Sequence, residues 1–243
     1  MSALDLFKKL VRDQERDSAD GEGSTIIRDN EIVRQFISNP TNTLLVSFPR
    51  TGSHWLRMLM ELYFERPTLK LVFYYPKVTD YIAYHTHDLD LDMEHPTALY
   101  LYRDPVDTIY SQLSYHKEAL NNTERIVYWA DLYGRHLDKW LHTEKFSTKK
   151  TILRYEGLKQ DLPTEFAKVA QHFGFELDSQ KLVRIAAATT KEETKRKTTH
   201  DQQVVNLKKG YTNGRNDFYR HSSEIVWDAL LKDRPHLKED FQD

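Results

Sequence analysis

The sequence predicts an α/β fold: a central parallel β-sheet flanked by helices on both faces. Three observations carry that expectation. A short apolar run passes through a tight turn into an amphipathic helix at residues 43–63, the pattern recurs at 98–118, and a third apolar run, Thr151–Tyr155, precedes two more helical patterns. Strands that alternate with helices pair in parallel, and sheets of this kind bind ligands at the carboxyl ends of their strands. With 243 residues the chain is long enough for one substantial domain, so a single domain over 1–243 is expected.

Along the chain, Leu4, Phe7, Leu10 and Val11 recur at helical spacing and are followed by the polar stretch RDQERDSADGEGST, giving an N-terminal helix and a flexible connector over 1–30. Thr43–Phe48 is a strand stopped by Pro49. From Ser53 onward Trp55, Leu56, Leu59, Leu62 and Tyr63 mark a helix. Leu71–Tyr75 and Tyr81–His85, rich in aromatic and β-branched residues, read as strands. Ala98–Tyr102 is a buried strand, after which Asp104 caps and Pro105 opens a helix reaching about Glu118. Asn122 or Thr123 starts a long helix with Ile126, Val127, Ala130, Tyr133, Leu137, Trp140 and Leu141 on one face, ending before Ser147–Lys150. Helices follow at Pro163–Phe173, closed by Gly174, and from the Asp178 cap to about Ala188. Thr189–Tyr219 has no clean periodicity and reads as a long loop. A terminal helix from Ser222 or Ser223 to Leu231 stops near Pro235.

Composition excludes several classes. Thirty-five basic against 37 acidic residues give a formal net charge of -2, so neither a nucleic-acid polymer nor an anionic membrane is expected as partner, and any anion site is local. Without cysteine the chain has no disulfide framework and no thiolate metal site or nucleophile. No apolar run approaches the ~18 residues of a membrane span, and Met1–Asn30 has no apolar core of the signal-peptide kind. A soluble, cytoplasmic protein is expected.

The chemistry concentrates at the two strand-turn-helix corners. In LLVSFPRTGSHWLR the N–H groups of Thr51, Gly52, Ser53 and His54 stand at a helix start, where unpaired donors and the helix dipole attract an anion, with the hydroxyls of Thr51 and Ser53 nearby. Arg50 adds a planar fork of donors. At the second corner Arg103 leaves its strand and Ser111 lies two helical turns beyond, so two separated anion grips suggest a ligand with two phosphate-like groups. Alone, Arg103 would equally serve a salt bridge to Asp104 or Asp107.

These residues resemble the PAPS-dependent sulfotransferases, PAPS being 3'-phosphoadenosine-5'-phosphosulfate. SFPRTGSHWLR is similar to their 5'-phosphosulfate loop, YRDPVDTIYSQLSYH to their 3'-phosphate-binding strand and helix, and ILRYEGL to a later segment. Fainter likenesses at Thr189-Thr190 and Lys208-Lys209-Gly210 extend the resemblance over about 43–220. It implies a P-loop NTPase-like fold, PAPS as donor, adenosine 3',5'-bisphosphate (PAP) as product and no metal. It further implies that Arg50, Thr51, Gly52, Ser53 and His54 cradle the 5'-phosphosulfate and that Trp55 stacks on adenine, although Trp55 also fits the apolar stripe of its helix. Arg103 and Ser111 would take the 3'-phosphate, Tyr155 and Thr189 approach the base, and Lys208, Lys209 and Gly210 close over the 3'-phosphate.

Sulfuryl transfer to a hydroxyl needs a base, and histidine suits that near neutral pH. Thr86-His87 is similar to the family's Thr-His, which makes His87 the expected base and His85 the second candidate. Two features depart from the best-known members. Arg50 stands where they carry lysine, so its role is electrostatic, since arginine does not give up a proton at working pH. The late segment KKGYTNGRND lacks their Gly-Asp-Trp, so the 3'-phosphate ligands there stay open, with Arg215 a substitute. The acceptor is a small molecule whose class is not set by the residues: acids at Asp88, Asp90, Asp92 and Glu94 would favour a cationic or polar one and equally read as a solvated edge, and Phe73, Tyr74, Tyr75, Tyr81 and Tyr84 would wall a pocket for a flat or apolar one and equally read as core. A P-loop small-molecule kinase and a catalytically silent nucleotide-binding module are the alternatives. The missing Gly-Lys-Ser/Thr ending speaks against the first.

Overall fold

In the computed structural model, residues 23–198 and 209–242 are described. The elements, in chain order, are β1 (Thr25–Ile26), α1 (Asn30–Ser38), β2 (Thr43–Ser47), α2 (Ser53–Phe64), β3 (Thr68–Leu69), β4 (Leu71–Val72), β5 (Ala83–Thr86), β6 (Thr97–Tyr102), α3 (Pro105–His116), α4 (Thr123–Leu137), β7 (Lys149–Arg154), α5 (Tyr155–Gln160), α6 (Leu162–His172), α7 (Ser179–Ala188), α8 (Lys191–Lys197) and α9 (Lys209–Leu231). Five strands form a parallel sheet in the order β3-β5-β2-β6-β7, and β1 with β4 makes a separate antiparallel pair.

The alternation of side chains along each strand divides the core into two layers. Leu44 and Val46 of β2, with Ala98, Tyr100 and Tyr102 of β6, face α3, α4 and α9. Leu45, Leu99, Leu101 and Leu153 face α2, α6 and α7 from the other side. All five β2 residues are buried, which is why that strand reads as a continuous apolar run. Burying a side chain of this size contributes about 1.5–3 kcal/mol.

The chain leaves β2 toward β3 and β5 on one side and later returns to β6 on the other, so a topological switch point lies at the carboxyl end of β2. Register aligns the strand ends there. Val46 pairs with Thr86, Ser47 with Leu101 and Tyr102 with Arg154, so the turn after β2, His87, Arg103 and Tyr155 emerge side by side.

Several expectations are corrected. Leu71–Tyr75 is a strand only over Leu71–Val72, because the buried Glu61 carboxylate captures the N–H groups of Phe73 (2.9 Å) and Tyr74 (3.0 Å) in place of a ladder. Glu61 also accepts from the N–H and hydroxyl of Thr68, and Arg57, buried one turn earlier on α2, donates to the Thr68 hydroxyl and the Leu71 carbonyl. Tyr155 opens helix α5 rather than ending its strand. Val127 faces solvent. The loop expected over Thr189–Tyr219 contains α8, and the terminal helix begins at Lys209 rather than Ser222. The helix at residues 3–11 lies outside the described residues. Among those described, no helix is long and apolar enough to cross a membrane.

Candidate active site at the strand ends

The first corner is a strained turn. Arg50 has φ 71° and Gly52 φ 97°, both left-handed, which costs a non-glycine residue about 1–2 kcal/mol. The Thr51 hydroxyl turns inward and donates to the Phe48 carbonyl at 2.8 Å, so it braces the turn and leaves Thr51 to offer its backbone. Gly52 is the N-cap of α2 and supplies no side-chain cap. The first N–H groups of α2, at Ser53 and His54, therefore lack intrahelical partners and carry the positive end of the dipole. The His54 ring lies edge-on to Phe73.

Glycine at 52 is required twice over. A Cβ there would stand 2.5 Å from the Tyr155 ring, and the backbone is left-handed. Gly52→Ala is expected to lower stability by about 2 kcal/mol, read as a melting temperature lower by roughly 4–8 °C in thermal unfolding; an unchanged melting temperature would contradict the tight turn.

The second corner touches the first. Arg103 Nη1 donates to the Arg50 carbonyl at 3.2 Å and Arg50 Nε to the Ser111 hydroxyl at 3.2 Å. The Arg103 guanidinium lies 4.7 Å over the Tyr155 ring, and Tyr155 meets Trp55 edge-on at 6.1 Å. Arg103 also pairs with Asp107 at 3.0 Å. The turn itself is clamped by the buried Tyr133, whose hydroxyl accepts from the Arg103 N–H and donates to the Arg103 carbonyl. Thus Arg50, Gly52, Trp55, Arg103, Ser111 and Tyr155 form one contiguous surface. Thr189 does not join it by any hydrogen bond among the described residues: it is the buried C-cap of α7, its hydroxyl donating back to Ile185. Lys208 lies outside the described residues, and Lys209 and Gly210 open α9.

The histidines sit at the end of β5. A carbonyl only accepts, so the 2.7 Å contact of His87 Nδ1 with the Ser47 carbonyl fixes the proton on Nδ1 and leaves Nε2 as the acceptor. His85 Nε2 is 2.9 Å from the Ser47 hydroxyl, and the two rings meet edge-on at 4.7 Å. Burial pushes both below the ordinary histidine range, His85 furthest, with nearby cationic groups such as Arg57 adding to the effect. His87 is therefore neutral at pH 7.

Sequence reasoning missed what holds His87. His136, fully buried on α4, donates from Nε2 to the His87 carbonyl at 2.9 Å and accepts from the Tyr100 hydroxyl at Nδ1. A single π-helical turn, Asp138–His142, continues α4 and brings Lys139 and Trp140 onto the Asp88 carboxylate at 2.8 and 2.9 Å. Such turns recur at functional sites. These partners lie about fifty residues from His87 in sequence, and no local pattern marks them.

Burial also predicts acid sensitivity. It holds His136 down to about 3 and His172 down to about 4. A histidine depressed in the folded state binds its proton more readily when unfolded, so its contribution is complete above pH ~6.5 and is lost as pH falls. Each of the two is expected to cost about 2 kcal/mol at pH 5 relative to pH 7.5. A urea midpoint that stays constant between those pH values would contradict it.

Comparison with known proteins decides the family. The profile described as the sulfotransferase domain matches residues 89–243. The chain belongs to the sulfotransferase family. The match takes in Arg103, Ser111, Tyr155 and Thr189 but begins after the first corner and His87. Solved sulfotransferase-like structures share the fold. A mouse sulfotransferase, SULT7A1, complexed with PAP is 16% identical, over 86% of this chain and 94% of that one, with TM-score 0.50. Retinol dehydratase in a complex with retinol and PAP is 15% identical over 86% of each chain, with TM-score 0.52. The same enzyme with androsterone and PAP is 13% identical, over 87% of this chain and 88% of that one, with TM-score 0.50. No curated protein matches the sulfotransferase by sequence.

Proposed function

We propose that this sulfotransferase moves the sulfuryl group of PAPS to a hydroxyl or amine of a small-molecule acceptor, releasing PAP, with His87 as the base. The observation that carries the reading is the direct joining of the two corners: Arg103 hydrogen-bonded to the Arg50 carbonyl, beside a neutral histidine whose Nδ1 is tied to Ser47. PAP in the structures of similar fold agrees with a nucleotide bearing phosphate groups at both ends. A working unit over the whole of 1–243 fits this reading, since β2 and β5, which precede the family match, are the middle and neighbouring strands of the same sheet.

The residues fit the donor. Arg50 and the N–H groups at 51–54 face the 5'-phosphosulfate, Arg103 and Ser111 the 3'-phosphate, and Trp55 with Tyr155 the base. His87 Nε2 takes the acceptor's proton as the acceptor's oxygen or nitrogen bonds to sulfur. The bond from sulfur to the 5'-phosphate oxygen breaks, and the charge left on that oxygen meets Arg50 and the helix start. Catalysis is thus by positioning and charge neutralisation, as in phosphoryl transfer.

Incubation with PAPS and a mixed panel of hydroxyl and amine acceptors tests the reading. Products heavier by one sulfuryl group, with release of PAP, are expected by mass spectrometry. Binding of PAP without turnover of any acceptor would mark a silent nucleotide-binding module, and binding of ATP only with magnesium would mark a kinase.

His136 acts here as a positioning residue. His136→Phe removes the donor to the His87 carbonyl and is expected to lower kcat about tenfold with the KM for PAPS unchanged, whereas His136→Gln, which keeps a donor at that reach, restores most of the rate. Equal losses in both variants would reduce His136 to packing.

A further inference from the structure

His87 stands one residue past the last registered pair of β5 with β2, Thr86 with Val46, and the residue after it is strained. Asp88 has φ 43°, a left-handed backbone that a non-glycine residue keeps only where its surroundings hold it there. Its carboxylate is fully buried. Unlike the exposed Asp90, Asp92 and Glu94, it therefore offers nothing to an acceptor.

The buried charge is met almost entirely from one turn. Lys139 Nζ donates to Asp88 Oδ2 at 2.8 Å and Trp140 Nε1 to the same oxygen at 2.9 Å, while Oδ1 accepts from the Met93 N–H at 2.9 Å. Lys139, itself buried, also donates to the Met93 carbonyl at 2.7 Å. Lys139 and Trp140 are neighbours in sequence, and in a regular α-helix neighbours point about 100° apart. The wider π-helical turn Asp138–His142 lets both reach one oxygen. It continues the helix that presents His136 to the His87 carbonyl. One unbroken stretch of chain thus grips the His87 carbonyl and the side chain that follows it. A buried ion pair adds little net stability over an apolar substitute, so its use here calls for another reason, and π turns and strained residues both gather at functional sites.

We propose that Asp88, Lys139 and Trp140 form a clamp that positions His87, setting the direction in which its Nε2 meets the acceptor. The inference rests on the reading above, in which His87 is the base. Nδ1 is tied to the Ser47 carbonyl on β2, and the clamp fixes the backbone from which the ring enters that contact. Once the backbone relaxes, the ring cannot keep both the bond to Ser47 and the placement of Nε2. A misplacement of about 1 Å at a reacting group costs up to about 100-fold in rate.

The test reads activity and the histidine ring nitrogens by NMR on the full chain. Removing one charge alone leaves the other buried and unpaired, so the decisive variant carries Asp88→Asn and Lys139→Met together, which removes both; asparagine tolerates the left-handed backbone as aspartate does. This paired variant is expected to melt near the wild-type temperature, with kcat lower by about 10- to 100-fold and the KM for PAPS and the affinity for PAP unchanged. Without any substrate, its His87 should lose the single Nδ1–H form and exchange between the two tautomers. Trp140→Phe, which keeps the ion pair and the ring packed on Tyr100 and removes one donor, should lower kcat about three- to tenfold and serves as the test if the paired variant does not fold. A wild-type rate and an unaltered His87 tautomer in the folded variants would reduce the clamp to a support for the turn after β5, and the inference falls alone. If the wild-type protein transfers no sulfuryl group, the reading of the base falls and the inference with it.

Discussion

Replacement of His87 by alanine is expected to abolish measurable transfer, with a loss of roughly 10²- to 10⁴-fold in kcat, the usual scale for a positioned base, while PAP binds within about twofold of wild type. The two readouts separate because His87 is tied to the Ser47 carbonyl and packed against His85, and in this reading it meets the acceptor's proton rather than either phosphate of the nucleotide. The sign of its pH dependence follows from its surroundings. Burial lowers the His87 pKa below the ordinary histidine value, so the active, neutral form persists into mild acid. The acidic limb of kcat/KM should fall below pH ~6.5, subject to the loss of stability expected from His136 and His172 in the same range, which a parallel melting curve separates. Two outcomes would move the base elsewhere. Unchanged turnover in His87→Ala points to His85, whose burial is deeper and whose Nε2 already meets Ser47. An acidic limb above pH 7 contradicts a depressed imidazole.

What the sequence shows of this site is what the chain encodes locally. Arg50, Arg103 and Tyr155 each follow the last residue or turn of a strand of the parallel sheet, and His87 follows β5, so an apolar run ending in a functional side chain marks each one. The expected strand, turn and helix boundaries around them match to within a few residues because burial on both faces of β2 and β6 leaves a strong signal. Long-range support leaves none. His136, in GRHLDKW, looks like a surface residue of an amphipathic helix, and only the packing of α4 on β6 carries it to the His87 carbonyl. Phe73 and Tyr74 read as strand because their competitor for the backbone, Glu61, sits twelve residues upstream on a helix. The first turns of α9 were unreadable for a different reason. Lys209–Arg220 is polar and contains two glycines, so its helix owes little to propensity, and contacts such as Tyr110 with Tyr211 and Tyr219 with Asp104 hold it. The helix α1 did carry a local signal, with an Asp29 cap and Ile32, Val33, Phe36 and Ile37 on one side, inside a stretch dominated by polar residues.

Arg50 carries the second large effect, and its backbone makes the test sharper than a side-chain deletion alone. The residue adopts φ 71°, a conformation in which any β-carbon is strained, so its stability cost is shared by every non-glycine replacement. Arg50→Met keeps that strain and the length of the stem but removes the charge, and kcat is expected to fall roughly 10²- to 10³-fold, as when one fixed donor to a developing oxyanion is lost. The melting temperature should change little, because Arg50 is only half-buried and its hydrogen bond to Ser111 is to a neutral acceptor. Arg50→Lys divides electrostatics from geometry. Lysine returns the positive charge but neither the Nε–H that meets Ser111 nor the planar fork. If neutralising the leaving oxygen is the whole role, the lysine variant recovers most of the rate. If Arg50 also ties the first corner to Ser111 and so to the Arg103 side of the site, turnover recovers while PAP affinity stays weakened, since the link between the two ends of the nucleotide site is cut. A methionine variant with wild-type kcat would mean that the charge leaving sulfur is met by the helix start alone, and the turn at residues 50–54 would then act through its backbone.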